Sequence, residues 1–257
     1  MSMPITIGII VPHSDDRIPP EGPQMYPEVT WISKGTGVQS LTPEGYEPAM
    51  RAILPAAEGL AKKGVDAVMV MGTSLTFYKG AAVHAKMMAD LARVTGLPVG
   101  TMSQAVIDGL RELGAKEIAV ATAYNDVVND RLRGFLTDEG FTVRSLKGFG
   151  ISEFGGPAGR KSEAEIIALG REAVAEARAG GGAQGLLVSC GGLRTLGIAA
   201  PLEADPGVPV VASTPAAFRY AVRLAGHDRR YPGHGRLLGI LECEMLQSFD
   251  KRAMVRA

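Results

Sequence analysis

The sequence predicts an α/β protein of two pseudo-symmetric lobes, each a mostly parallel open sheet of Rossmann or flavodoxin type, with the active site in the cleft between them. Three observations predict it. Apolar runs at residues 5–11, 65–71 and 186–189 read as strands covered on both faces, as parallel sheets require. Helical periodicity falls between such runs, at 43–63, 80–95 and 103–113. The pattern then repeats. Residues 6–15 align with 117–126 at an offset of 111 (117 minus 6) and 64–75 align with 182–193 at 118 (182 minus 64). Pro98-Val99 aligns with Pro209-Val210, again at 111 (209 minus 98). Strand order and strand-end chemistry agree in all three places, which reads as an internal duplication. The expected lobes are residues 1–108 plus 214–257, and 109–213.

Taken in order, the first strand ends at Pro12. Residues 13–46 are rich in Pro, Gly, Ser and Asp and read as a long loop with little regular structure. Pro43-Glu44 opens a helix, and Gly64 ends it as a helix C-terminal glycine does. The strand at 65–71 ends in Gly72-Thr73-Ser74-Leu75. A helix, a short strand at 98–101 and a further helix follow before the second copy begins. The repeat pairs Gly72 with Cys190, Thr73-Ser74 with Gly191-Gly192, and His13 with Tyr124.

Composition excludes several function classes. Twenty-seven basic residues balance 27 acidic ones, so no global field draws in nucleic acid or a membrane surface. Two cysteines, 53 positions apart, make no disulfide framework (243 minus 190). No run of 18 apolar residues and no basic-flanked leader is present, so a cytoplasmic location is expected, with a monomer compatible with the chain. There is no zinc-type spacing, no Walker motif and no Gly-x-Gly-x-x-Gly after the first strand, so neither metal nor cofactor is expected. His84 and His227 read as surface residues, His234 as part of a turn, and His13 as a loop residue at a strand end. Cys243 is off the repeat and reads as structural.

The strand that stops at Cys190-Gly191-Gly192 carries the chemistry. It places a thiol at the carboxyl edge of a sheet, where open α/β sheets bind ligands, and follows it with two residues that leave the backbone unobstructed. Thr73, Ser74, Tyr124 and the backbone of Cys190 and Gly191 fall on equivalent strand ends. Neutral donors gathered at one place suit a carboxylate whose charge grows during reaction.

Gly72-Thr73-Ser74-Leu75 with the following Phe77-Tyr78-Lys79-Gly80, Ala121-Thr122-Ala123-Tyr124 and Ser189-Cys190-Gly191-Gly192-Leu193 resemble the arylmalonate decarboxylase family of the aspartate/glutamate racemase superfamily. Thr42-Pro43-Glu44-Gly45-Tyr46 and residues 221–226 and 232–237 extend the resemblance over nearly the whole chain. It implies a cofactor-free decarboxylation of a disubstituted malonate, a small dicarboxylate being the expected partner. One carboxylate would lie in a dioxyanion hole made by Thr73, Ser74, Tyr124 and the amides of Ser74 and Gly191. The other would lie in an apolar pocket to which Val38, Leu41 and Leu75 correspond, with Pro12, Gly72, Ile151 and Gly192 completing the substrate surface. Cys190 would supply the proton. Racemases and maleate isomerases of the superfamily carry cysteine at both strand ends, whereas this chain has Gly72 at the first. A racemase or cis–trans isomerase stays open if His13 serves as a second base, and a dicarboxylate sensor stays open if the thiol is idle. The chain departs from the family at His13 and in the polar, glycine-rich segment 150–160, and both bear on substrate identity.

Overall fold

The computed structural model describes residues 5–239 and contains two four-stranded parallel sheets. The first half runs β1 (Thr6–Val11), α1 (Glu21–Met25), β2 (Thr30–Gly35), α2 (Pro43–Ala61), β3 (Ala67–Val70), α3 (Thr73–Phe77), α4 (Ala81–Thr95), β4 (Val99–Thr101) and α5 (Met102–Glu112). The second runs β5 (Glu117–Tyr124), α6 (Asp126–Asp138), β6 (Thr142–Ile151), α7 (Gly156–Gly159), α8 (Glu163–Ala179), β7 (Gly185–Ser189), α9 (Ala199–Ala204), β8 (Val210–Ala212), α10 (Ser213–Leu224) and α11 (Arg236–Gly239). The sheets are ordered β2-β1-β3-β4 and β6-β5-β7-β8, so the duplication read from the sequence is a duplication of topology.

Local chemistry sets the helix ends. Thr42 caps α2 by accepting from the Gly45 N–H, with Pro43 at the first helical position, where its missing donor costs nothing. Asn125 caps α6, and Ser162 with Glu165 forms a reciprocal capping box on α8. The inner strands are apolar on both faces because both faces are covered. Ile7, Ile9, Ile10, Leu186, Leu187 and Val188 are all fully buried.

The covering helices are exchanged between halves. α10, which follows the second sheet, packs across β3 and β4 of the first, with Phe218 and Val222 in one core with Ile7, Ile9 and Met69. A Cβ added to Gly100 of β4 would lie 2.6 Å from the Tyr220 ring, so that position must lack a side chain for α10 to seat. α5 in turn packs across β7 and β8, with Val106, Ile107 and Leu110 in one core with Val120, Leu187 and Val211. The two exchanged helices are tied by Arg219, 5% exposed, which grips Glu112 with its two terminal guanidinium nitrogens at 2.8 and 2.6 Å. Among the described residues no helix is long and apolar enough to cross a membrane.

Two expectations are corrected. Residues 13–46 are not a bare loop but hold α1 and the edge strand β2, which pairs with β1 from Thr6↔Thr30 to Val11↔Gly35. β2 was hidden because an edge strand is only partly buried and needs no continuous apolar run. His84 is not a surface residue. It is 2% exposed, hydrogen-bonds through Nε2 to Thr101 Oγ1 at 2.7 Å and meets Phe135 edge-on at 5.4 Å. His234 does lie in a turn, its Nδ1 2.9 Å from the Leu196 carbonyl oxygen. Cys243 lies outside the described residues.

Burial holds the His84 pKa below the ordinary 6.5, with Glu139 opposing the shift. A histidine depressed in the folded state leaves stability intact above its unfolded pKa. Stability is lost as pH falls below that value, because the unfolded chain takes up the proton first. The melting temperature is therefore expected to be flat from pH 8 to 7 and to fall below about pH 6.5. His84→Gln, which can hydrogen-bond without titrating, should flatten part of that fall. His13, depressed as well, contributes in the same direction. Calorimetry across pH checks this, and an unaltered slope in the variant would acquit His84.

Candidate active site

In an open sheet whose strand order reverses direction, ligands bind beyond the carboxyl ends of the strands flanking the reversal. Here those strands are β1 and β3 in one half and β5 and β7 in the other. Their ends supply Pro12, Gly72, Tyr124 and Cys190, which line one cleft of about 560 Å³, part of it open to solvent. Val38, Leu41, Ser74, Leu75, Ile151, Gly191 and Gly192 line the same cleft. The two β-ends nearly touch: a Cβ added at Gly191 would lie 3.8 Å from the Gly72 Cα.

Thr73 stands behind this lining, 2% exposed. Its Oγ1 is 3.1 Å from the Tyr124 hydroxyl and 3.2 Å from the Ser189 hydroxyl, and the latter two are 3.5 Å apart. The three hydroxyls form a closed triangle beneath the floor of the cleft. Met102 Sδ accepts from Thr73 at 3.6 Å, and Ser103 Oγ donates to the Thr73 carbonyl at 3.2 Å, so α5 fixes the start of α3. Tyr124 is fully buried, and burial raises its hydroxyl pKa far above 10, followed by the nearby Cys190. The hydrogen bonds from Ser189 and Thr73 only temper that rise. The phenol stays neutral and keeps its proton to donate.

Cys190 keeps part of its surface in the cleft, yet its surroundings are dry enough that burial pushes the thiol pKa up. The Gly192 N–H points at its sulfur from 3.4 Å and opposes the shift. Its own amide donates to Ser213 Oγ at 3.3 Å, which anchors the strand end to α10. At neutral pH the sulfur is a thiol.

Sequence reasoning did not single out Ser189 or Tyr46. Ser189 is the strand residue before the cysteine, and only its 3.2 Å contact with Thr73 across the halves reveals it. Tyr46 sits on α2, packs its ring 4.6 Å from Tyr78 and lines the cleft. Its buried hydroxyl has no hydrogen-bond partner, and burial raises its pKa, with Ser74 close enough to moderate the rise. His13 lines the cleft from the loop after β1, and Phe154, Gly155 and Ala158 close it from the segment after β6. Among the described residues no group of three His, Cys, Asp or Glu side chains could hold a metal ion.

A duplicated parallel-sheet protein with one thiol set against hydroxyls and amides across a cleft falls, by fold, in the class that includes maleate isomerase. It superposes on a maleate cis-trans isomerase of Nocardia farcinica with a TM-score of 0.82 at 21% identity, over 91% of this chain and 98% of that one. Within that class the chain belongs to the arylmalonate decarboxylase family, which residues 7–238 match. It is 43% identical to the arylmalonate decarboxylase of Bordetella bronchiseptica over 233 residues, covering 90% of this chain and 95% of that protein. A liganded arylmalonate decarboxylase variant, in which a glycine is exchanged for cysteine and a cysteine for serine, superposes with a TM-score of 0.87 at 41% identity. That superposition covers 91% of this chain and 98% of the variant.

Proposed function

We propose that the protein decarboxylates a disubstituted malonate, without a cofactor, and delivers one enantiomer of the resulting carboxylic acid. The observation that carries this reading is the unequal pair of strand ends, a protonated Cys190 on one and the bare backbone of Gly72 on the other, above a floor of neutral donors. One carboxylate accepts hydrogen bonds from Ser74, Tyr124 and the amides of Ser74 and Gly191. Thr73 and Ser189 hold the Tyr124 hydroxyl in place. The second carboxylate lies against Val38, Leu41 and Leu75, where an anion is poorly solvated and its departure as neutral carbon dioxide relieves that cost. The C–C bond breaks and its electron pair passes into the held carboxylate as an enediolate, whose added charge the donors stabilise. The substrate is its own electron sink. Cys190 then gives its proton to the α-carbon from one face, and the thiolate is reprotonated by solvent.

Family membership and the gathering of the residues at one cleft support this over racemisation by a pair of facing thiols, for which position 72 offers no side chain. Purified protein with no added cofactor, offered methyl(phenyl)malonate and methyl-substituted alkyl- or alkenylmalonates, should release carbon dioxide and give a single product enantiomer. No release from any of them would defeat the reading.

Tyr124→Phe tests the hole. The hydroxyl matters most once charge has moved, so kcat is expected to fall about 10²-fold with KM changing far less. Steady-state carbon dioxide release measures both, and an unchanged kcat removes Tyr124 from the chemistry.

A further inference from the structure

The lining of the cleft grades from the buried Tyr124, Val38, Leu41 and Leu75 to the part-exposed His13 and Phe154 and the exposed Glu153, which mark its mouth. His13 reaches the mouth from the first half, and Glu153 and Phe154 reach it from the second. The His13 and Phe154 rings lie 5.3 Å apart, tilted by 45°, so an aromatic pair bridges the two halves. The backbone holds His13 in place: its carbonyl accepts from the Gly37 N–H at 3.3 Å, and that of Pro12 accepts from the Val38 N–H at 2.8 Å. The imidazole nitrogens make no hydrogen bond to any described residue. Burial, aided by Arg17, lowers the ring's pKa, so near neutral pH one nitrogen accepts and the other donates.

A malonate anchored at the floor has to project its larger α-substituent past the apolar walls towards this mouth. A flat ring matches the aromatic pair, and a hydroxyl on that ring meets the imidazole. We propose that His13 is the specificity-determining residue for the α-substituent and selects an aryl group whose hydroxyl hydrogen-bonds to its ring. The inference rests on the malonate reading above and names the substrate class within it. The Glu153 side chain, exposed at the same rim, adds a second acceptor for such a hydroxyl.

His13 is only half-buried, so water competes for the bond. The discrimination is about three- to tenfold, far below what a fully enclosed polar site achieves. The experiment compares kcat/KM for phenylmalonate with that for 3- and 4-hydroxyphenylmalonate. Wild-type protein is expected to prefer at least one hydroxylated substrate by that factor. His13→Phe keeps the ring contact with Phe154, removes the nitrogens and should bring the ratio to about one, whatever its effect on phenylmalonate turnover itself. His13→Ala, measured in the same way, covers the case in which the phenylalanine variant misfolds. A wild-type ratio of one, or a preference that survives both substitutions, overturns the assignment. Failure of all three arylmalonates while an alkyl- or alkenylmalonate reacts also overturns the assignment; failure of every malonate overturns the decarboxylase reading instead, and this inference with it.

Discussion

Cys190→Ala is expected to lower turnover by about 10²- to 10⁴-fold, the usual worth of a positioned proton donor, while substrate affinity changes little. Cys190 is the sulfur on the cleft wall, presented at the end of β7 beside the Gly191 and Gly192 amides and opposite a glycine. Its burial raises the thiol pKa, so the acid form prevails at neutral pH and persists into mildly alkaline solution. Activity should therefore hold from about pH 7 to 8.5 and fall only when the thiol ionises above its ordinary range. Steady-state carbon dioxide release against pH, for wild-type protein and variant, reads both effects. Turnover within tenfold of wild type in the alanine variant would move proton delivery to another group. An alkaline limb that survives the substitution would show that the limb belongs elsewhere.

Gly72→Cys is expected to convert a single-handed product into a mixture approaching the racemate. Position 72 is the repeat partner of 190, and its backbone faces Gly191 across the cleft. A Cβ there would lie 3.3 Å from Pro12 Cγ and 3.5 Å from Leu75 Cβ, so a side chain fits if the proline ring yields slightly. The obstacle is conformational. Gly72 has φ +94, a region that side chains strongly disfavour, so the variant should also lose about 1–3 kcal/mol of stability. Chiral chromatography of the product and a thermal melt measure the two consequences separately. With a thiol on each face the variant should also exchange the α-hydrogen of pure product and racemise it. A well-folded variant that still gives one enantiomer would mean that the two strand ends do not address opposite faces of the intermediate.

The sequence made the inner strands legible because parallel strands covered on both faces leave unbroken apolar runs, and the runs stop at the residues that line the cleft. β1, β3, β5 and β7 are such strands, and Pro12, Gly72, Tyr124 and Cys190 sit at their ends. The edge strands are a different physical case. β2 and β6 are only partly buried along most of their length, so neither carries a continuous apolar signal. His84 was misplaced because one polar residue on a helix does not declare which face it occupies. Its burial is set by Thr101 and by Phe135 from the other half. Ser189 and Tyr46 escaped for a related reason, since each earns its place through a neighbour far away in the chain. Spacing reads local chemistry well and long-range partners poorly.

The exchange of α5 and α10 has a consequence for how the molecule comes apart. A chain severed between residues 112 and 117 would leave each fragment with a greasy sheet face stripped of its cover. It would also undo the contacts of Arg219 and Arg223 with Glu112, separating those charges onto different pieces. Neither fragment is then a self-sufficient domain, and denaturation should proceed in a single step despite the twofold look of the architecture.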